Sequence, residues 1–353
     1  MDVTIQGLAT ALPDHELPQD LVRQAAQRVL GPKFENFERL IPSFEQAGIG
    51  RRWSVAPLEW FERPHGWADR NQVYLEGTRK MFRDAATAAL ERAGWRADEV
   101  DVVITVSSTG IATPTLEAQL ADCMDFRSDV MRVPVFGLGC AGGISGLAIA
   151  ARLAQAQPGA KVLLVVVEAC TPSFRSDRLQ KADIIATVLF GDGAAAACLS
   201  TDSVRRGAEP RLSMKAEHQH MWPDTLGIMG WEVNDDGLGV IFDRSIPGFA
   251  AEHFAPAVDG ALAAAGLERA DIDRFVCHPG GAKVVQAIET ALDLPPDSLD
   301  AERAVLHDCG NMSAPTALFV LERVLAAGQT GRMLTCALGP GFTASFAVLE
   351  RAE

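Results

Sequence analysis

A thiol, an imidazole and a carboxamide, each set among small residues, are the parts of this sequence best suited to chemistry. Cys140 stands in Phe136-Gly-Leu-Gly-Cys-Ala-Gly-Gly-Ile-Ser-Gly-Leu147. An apolar run, Val133–Phe136, precedes it, and Ile144, Leu147, Ala148, Ala151 and Leu153 follow near a 3.6-residue period. The pattern predicts strand, tight turn and helix, with the sulfur at or near the helix N-terminus. Unpaired N–H groups and the helix dipole favour an anion there, and a thiol is a nucleophile only as thiolate. Three readings fit. Cys140 is a small buried residue of a βα turn. Or Gly137-x-Gly139-x-x-Gly142 cradles a dinucleotide, with Glu168 holding the ribose after the run Val162–Val167. Or the glycines leave room for an acyl thioester to approach a nucleophilic sulfur.

The later sequence brings the other two groups. An apolar strand pattern ending at Val276 runs into Cys277-His278-Pro-Gly-Gly281, which leaves little bulk around the ring. Gly310-Asn311-Met-Ser-Ala precedes an apolar helix pattern, where Asn311 is either an N-cap or a carboxamide donor. His278 is likewise either a structural residue or a partner of the thiol. If the three converge, imidazole and carboxamide donate two hydrogen bonds to one thioester oxygen. That stabilises the enolate formed when a malonyl thioester loses CO2.

An internal repeat provides the means of convergence. Ala93-Gly-Trp-Arg-Ala-Asp-Glu-Val-Asp leads into the strand Val102–Val106, and Ala265-Gly-Leu-Glu-Arg-Ala-Asp-Ile-Asp leads into Arg-Phe-Val-Cys277. Helical patterns, Met81–Arg92 and Ala255–Ala264, precede both. Leu189-Phe-Gly-Asp-Gly-Ala-Ala-Ala-Ala197 likewise pairs with Leu338-Gly-Pro-Gly-Phe-Thr-Ala-Ser345, and the helix after Cys140 with the helix after Asn311. The expectation is a duplicated α/β chain, residues 1–203 and 204–353, divided in the polar stretch Ser200–Arg211. A dinucleotide fold needs no duplication, and its glycine loop belongs in the first βαβ unit. Before the repeat, Met1–Ala11 reads as a strand, Gln19–Leu30 and Phe34–Gly48 as helices, Trp60–Trp67 as irregular and Asn71–Ala93 as a long helix.

Bulk properties narrow the function. The 353 residues carry a net charge of −14 and no strong basic stripe, which argues against nucleic acid and anionic membranes as partners. No apolar stretch reaches 18 residues and no signal segment opens the chain, so a cytoplasmic protein is expected. Seven scattered cysteines without a C-x-x-C spacing suggest neither disulfides nor zinc. His218-Gln-His220 lacks a third ligand at metal spacing, and Asp192 reads as a turn residue rather than an acid.

Taken together, Gly139-Cys-Ala-Gly-Gly, Leu189-Phe-Gly-Asp-Gly, His278-Pro-Gly-Gly, Gly310-Asn-Met-Ser-Ala and Gly339-Pro-Gly341 stand in family order. With them the chain resembles the type III polyketide synthases, the chalcone synthase-like group of the thiolase superfamily. The resemblance implies a thiolase-like α/β fold of duplicated halves in αβαβα layers, a homodimer, and CoA thioesters as substrates with no cofactor or metal. Cys140 would accept a starter from acyl-CoA, and His278 and Asn311 would direct malonyl-CoA decarboxylation. Iterative Claisen condensation and closure to a pyrone or a resorcinol- or phloroglucinol-type ring would follow.

The resemblance also implies pocket residues: Phe190 as a gate, Ser108, Thr109, Cys170, Ser173, Gly230 and Ser313, with Thr113 reaching across the dimer. Arg39, Arg51, Arg52 and Gly281 would contact CoA. The chain departs from the pattern in places. Val240 falls where plant enzymes carry a second gating phenylalanine, although Phe242 is near. Leu338 replaces a phenylalanine of one cavity wall. Of Arg39, Pro42 and Gln46, at the plant CoA-phosphate positions, only Arg39 is basic, which leaves room for a starter on an acyl carrier protein. The alternatives are a ketoacyl-ACP synthase III-like enzyme making one condensation, or an acyltransferase partner that extends nothing.

Overall fold

The computed structural model describes residues 2–34, 37–175, 181–202, 211–235 and 237–352. The first half contributes strands β1 (Val3–Ala11), β2 (His15–Pro18), β3 (Arg51–Ser54), β4 (Val102–Val106), β5 (Met131–Val135), β6 (Val162–Ala169) and β7 (Asp192–Ser200). Its helices are α1 (Gln19–Leu30), α2 (Ile41–Gln46), α3 (Trp67–Ala93), α4 (Leu116–Met124), α5 (Gly142–Ala156) and α6 (Lys181–Leu189). The second half adds β8 (Leu212–Met221), β9 (Met229–Asn234), β10 (Gly237–Phe242), β11 (Arg274–Cys277), β12 (Gly331–Gly339) and β13 (Thr343–Arg351). It also holds α7 (Ile246–Ala264), α8 (Ala282–Ala291), α9 (Asp300–Cys309) and α10 (Thr316–Ala326).

Nine strands form one mixed sheet in the order β5-β4-β6-β7-β1-β8-β13-β12-β11. The order reads outward from its middle in the same way twice. β1–β7 and β7–β6 are antiparallel and β6–β4 parallel; β8–β13 and β13–β12 are antiparallel and β12–β11 parallel. The repeat seen in the sequence is therefore a repeat of topology. The two half-sheets do not only pack against each other. They share hydrogen bonds where Val3, Thr4 and Ile5 pair with Met214, Ser213 and Leu212.

Strand composition dictates the layers. β6, Val-Leu-Leu-Val-Val-Val-Glu-Ala, is buried along its whole length, as a central strand covered on both faces must be. α3 covers one face of β1, β7 and β6; α5 lies on the other face and also reaches β12 and β13. α10 lies beside α5 and touches β1 and β11. α7 covers β8 and β13 from outside, with α8 packed on it. The succession is αβαβα, a mixed α/β fold. Gly143 lets the central helices meet: a Cβ there would lie 2.3 Å from the Ala314 carbonyl oxygen.

Several local expectations shift. Phe34–Gly48 is not one helix but a 3-10 turn, Phe37–Leu40, and the short α2, with Pro42 at its start. α3 begins at Trp67 rather than Asn71, and a 3-10 turn occupies Leu58–Glu62. α7 begins at Ile246, nine residues before Ala255, and runs on through Pro256, which removes one backbone hydrogen bond without ending the helix. The expected division between residues 203 and 204 lies outside the described residues. Among the described residues no helix is long and apolar enough to cross a membrane, and no group of three metal-ligating side chains occurs.

Candidate active site

Cys140 sits in a single 3-10 turn, Gly139–Ala141, that feeds directly into α5. Gly139 has φ +46°, and a side chain there would press on Pro340 at 2.6 Å. The turn that presents the sulfur thus packs against the loop joining β12 and β13. Asn311 does not cap α10, which starts five residues later. Its backbone forms a bridge with Phe190: Asn311 N–H donates to the Leu189 carbonyl and Gly191 N–H to the Asn311 carbonyl, both at 2.9 Å. This bridge pins a segment of the second half onto the end of α6 in the first.

The side chains follow from that placement. The Asn311 carboxamide donates to the Gly280 carbonyl at 3.2 Å and accepts from Ser313 N–H at 2.8 Å. Ser313 adopts a left-handed φ of 61°, which brings its Oγ to 3.7 Å from the Cys140 sulfur. His278 leaves the end of β11, its N–H bonded to the Cys336 carbonyl at 2.8 Å. Cys140, His278 and Asn311 all line one small, largely enclosed cavity with Leu338 and Phe242. Among the described residues neither ring nitrogen of His278 has a hydrogen-bond partner, although the ring is buried.

Burial works against charge on both the thiol and the imidazole. Burial pushes the Cys140 thiol up to about 11; hydrogen bonding from Ser313 and Asn311 works against this, and the Glu168 charge adds to it. Burial alone takes His278 down to about 4. Burial thus favours the neutral form of both groups. A neutral imidazole with free nitrogens can accept a proton or donate to a carbonyl.

A second, larger space also opens at Cys140. It is lined by Ser108, Thr109, Cys170, Ser173, Phe190 and Gly230, together with Val240 and Ser313. Phe242 enters this wall as well, and its ring meets Phe190 edge-on at 6.1 Å between centroids. An aromatic pair therefore exists even though Val240 occupies the aligned position. The alternation along β10 puts Val240 and Phe242 on one face, which is the signal that identifies it.

Glu168 faces no ribose. It is fully buried, accepting from Ser108 N–H at 2.9 Å, Thr109 Oγ1 at 2.7 Å and Ser107 Oγ at 3.5 Å. Burial raises its carboxyl to about 7, and it holds the Ser107–Thr109 loop against the cavity. Asp192 does the same for Cys170–Ser173, through Thr171 N–H at 2.8 Å and Thr171 Oγ1 at 2.5 Å. Asp192 is thus more than the turn residue expected, and its place as the single acid in the run Leu189–Ala197 is the signal that points to this.

The remaining expected residues scatter. Arg39 is exposed on the turn before α2. Arg51 is exposed and paired with Glu16 at 3.4 Å and Asp308 at 3.6 Å. Arg52 corrects the expectation of a CoA contact. It is buried, and its terminal nitrogens bond to the Thr187, Val188 and Phe190 carbonyls and to Gln19. Gly281 is buried at the start of α8 and lines neither cavity; Thr113 is exposed in the single chain, outside both cavities.

Two family models match the chain: the N-terminal domain of chalcone and stilbene synthases over residues 63–203 and their C-terminal domain over residues 213–351. A protein described as a putative chalcone synthase of Bacillus subtilis (strain 168) is 35% identical over 350 residues, 96% of each chain. The 1,3,6,8-tetrahydroxynaphthalene synthase of Streptomyces peucetius subsp. caesius is 36% identical over 356 residues, covering 98% of this chain and 93% of that one. The crystal structure of the 1,3,6,8-tetrahydroxynaphthalene synthase of Streptomyces coelicolor A3(2), a bacterial type III polyketide synthase, superposes with a TM-score of 0.91 at 27% identity over 99% of both chains. The chain therefore belongs to the chalcone and stilbene synthase family, the type III polyketide synthases, and is an acyltransferase that builds polyketides.

Proposed function

We propose that Cys140 takes an acyl starter from a CoA thioester, that His278 and Asn311 hold malonyl-CoA by its thioester oxygen, and that loss of CO2 yields an enolate which attacks the Cys140 thioester. Repetition lengthens the β-keto chain, which closes to a pyrone or a resorcinol- or phloroglucinol-type ring. The observation that carries this reading is the shared cavity of Cys140, His278 and Asn311. His278 there has two unengaged ring nitrogens, free to bond a substrate oxygen. The Asn311 amide already bonds the Gly280 carbonyl, and its second N–H is the other donor. Two donors on one oxygen lower the cost of the enolate charge. We also assign to His278, in the same cavity, the uptake of the thiol proton that burial otherwise retains.

The larger space beside Cys140 favours repeated extension over a single condensation. We assign CoA or a carrier-bound starter to the surface at Arg39, with Arg51 included and the start of α8 after the buried Gly281 packed beside it. The reading includes two functional halves, residues 1–203 supplying the nucleophile and 204–353 its partners. It also includes a homodimer. β5 is an uncovered edge strand, and Ile111, Met131 and Phe136 beside it are 47%, 52% and 61% exposed. Thr113 lies on this surface.

Incubation with acyl-CoA and labelled malonyl-CoA tests the reading. Products with two or more added units are expected. One added unit would instead indicate a single-condensation synthase, and acyl transfer without CO2 release a non-extending acyltransferase.

A further inference from the structure

The end of β11 carries a reactive pair that the proposed mechanism leaves unused. Cys277 lies directly across from Cys336 of β12 in parallel register. Residues paired in this way on neighbouring strands point to one face of a sheet. Here that face lies under α7 and α8, and both cysteines belong to the cluster of Phe275, Val284, Val285, Leu334 and Leu338. Cys336 Sγ–H donates to Cys277 Sγ at 3.2 Å, and both residues are buried. Neighbouring strands run about 4.8 Å apart. That falls within the roughly 4.4–6.8 Å between α-carbons that a disulfide spans.

Cys336 also lines the small cavity that holds Cys140, His278 and Asn311. A small oxidant that reaches the catalytic thiol therefore reaches Cys336 too, although bulk solvent does not. We propose that Cys277 and Cys336 form a reversible disulfide, driven by a hydroperoxide that enters through the catalytic cavity. Cys336 attacks the peroxide. An S–O bond forms as the O–O bond breaks, and the thiol proton leaves with the released alcohol or water. Cys277 then attacks the sulfenic sulfur. The S–S bond forms, and the sulfenic hydroxyl leaves with the Cys277 proton as water. The two thiols lose two electrons and the peroxide gains them. A small thiol reductant reverses the bond by exchange.

The bond acts on the site because His278 is the next residue. His278 N–H donates to the Cys336 carbonyl at 2.8 Å, and Cys277 N–H donates to the Glu302 carboxylate at 2.8 Å. Glu302 is itself held by Arg274 at 2.7 Å. The strand end is thus braced on both sides. Against that brace the sulfurs must close from 3.2 Å to about 2.05 Å. A shift of about 1 Å at a catalytic group costs roughly a hundredfold in rate. This consequence rests on the role given to His278 above; formation of the disulfide does not.

The test reads the bond and its effect separately. The full chain is exposed to hydrogen peroxide, its remaining thiols are blocked with N-ethylmaleimide under denaturing conditions, and tryptic peptides are mapped without reduction. Cleavage after Arg274 and Arg332 places the two cysteines on different peptides. A linked Cys277–Cys336 pair that dithiothreitol separates is expected. Free thiols at both positions overturn the proposal, whether or not Cys140 has been oxidised. Release of labelled CO2 from malonyl-CoA is then compared before and after oxidation in the parent and in Cys277→Ala. Cys140 is open to oxidation in both, so the difference between them reports the pair. The parent should lose at least about tenfold more of its rate than the variant and regain the excess with dithiothreitol. Equal losses overturn the coupling to His278. Cys336→Ala supplies the same comparison if Cys277→Ala does not fold. Reduced parent that releases no CO2 refutes the condensing reading, and the peptide map still decides the bond.

Discussion

Replacing Asn311 by alanine probes the proposed mechanism at its most specific point. The side chain is 1% exposed and makes two hydrogen bonds, to the Gly280 carbonyl and from Ser313 N–H. Truncation leaves the Ser313 N–H buried and unpaired, which costs about 1–3 kcal/mol before relaxation, and removes the donor to the half-buried Gly280 carbonyl. The variant should therefore melt lower than the parent but remain folded, because Asn311 also holds the Phe190 segment through backbone bonds that alanine retains. The chemical effect should exceed the structural one. Removal of one oxyanion donor slows such steps by about a hundred- to a thousandfold, and we expect at least about tenfold here. Starter loading on Cys140 needs no enolate and should persist. The assay is release of labelled CO2 from malonyl-CoA with and without a starter, with acyl-enzyme followed by mass spectrometry on the same sample. A CO2 rate equal to the parent's would refute the donor role. Loss of loading in parallel with CO2 release would show that the substitution acts on the site as a whole.

Cys140→Ala should abolish acyl-enzyme formation, checked by mass spectrometry of the intact protein. The pH dependence of Cys140 alkylation should reveal the imidazole. In His278→Ala, burial is left to act without it, and the rate should rise tenfold per pH unit toward an inflection near 11, because only the thiolate reacts. The parent, with His278 able to take the proton, should inflect at lower pH; identical profiles would remove His278 as the thiol's partner. Arg52→Ala should lower the melting temperature by several degrees, since charge-assisted bonds to buried carbonyls contribute roughly 1.5–3 kcal/mol. Arg51→Ala, on an exposed pair, should change stability by under about 1 kcal/mol. A thermal melt of the two variants side by side decides this, and equal shifts would refute the assignment of Arg52 to the interior. Gly143→Ala drives a methyl into the Ala314 carbonyl and should destabilise the α5–α10 contact; an unchanged melting temperature would mean the helices separate at little cost.

Local pattern and the internal repeat were legible in the sequence. α1 runs from Gln19 to Leu30 and β4 from Val102 to Val106, as the periodicity predicts, because amphipathic spacing is a property of neighbouring residues. The repeated Ala-Gly-to-acidic-turn segment announced two similar halves, and the ordered motifs announced the family. Tertiary structure alone decided what each polar residue does. Two adjacent arginines look alike in the sequence, yet Arg51 meets solvent and Arg52 is sealed under α6, because β3 pairs with β2 and turns alternate side chains to opposite faces. Asn311 resembles a helix cap until its bridge to Phe190, 121 positions earlier in the chain, carries it to the thiol. The helix N-terminus favours a thiolate at Cys140, yet burial pushes that thiol up to about 11; the cost of burying charge depends on how much protein surrounds it, and no short segment encodes that.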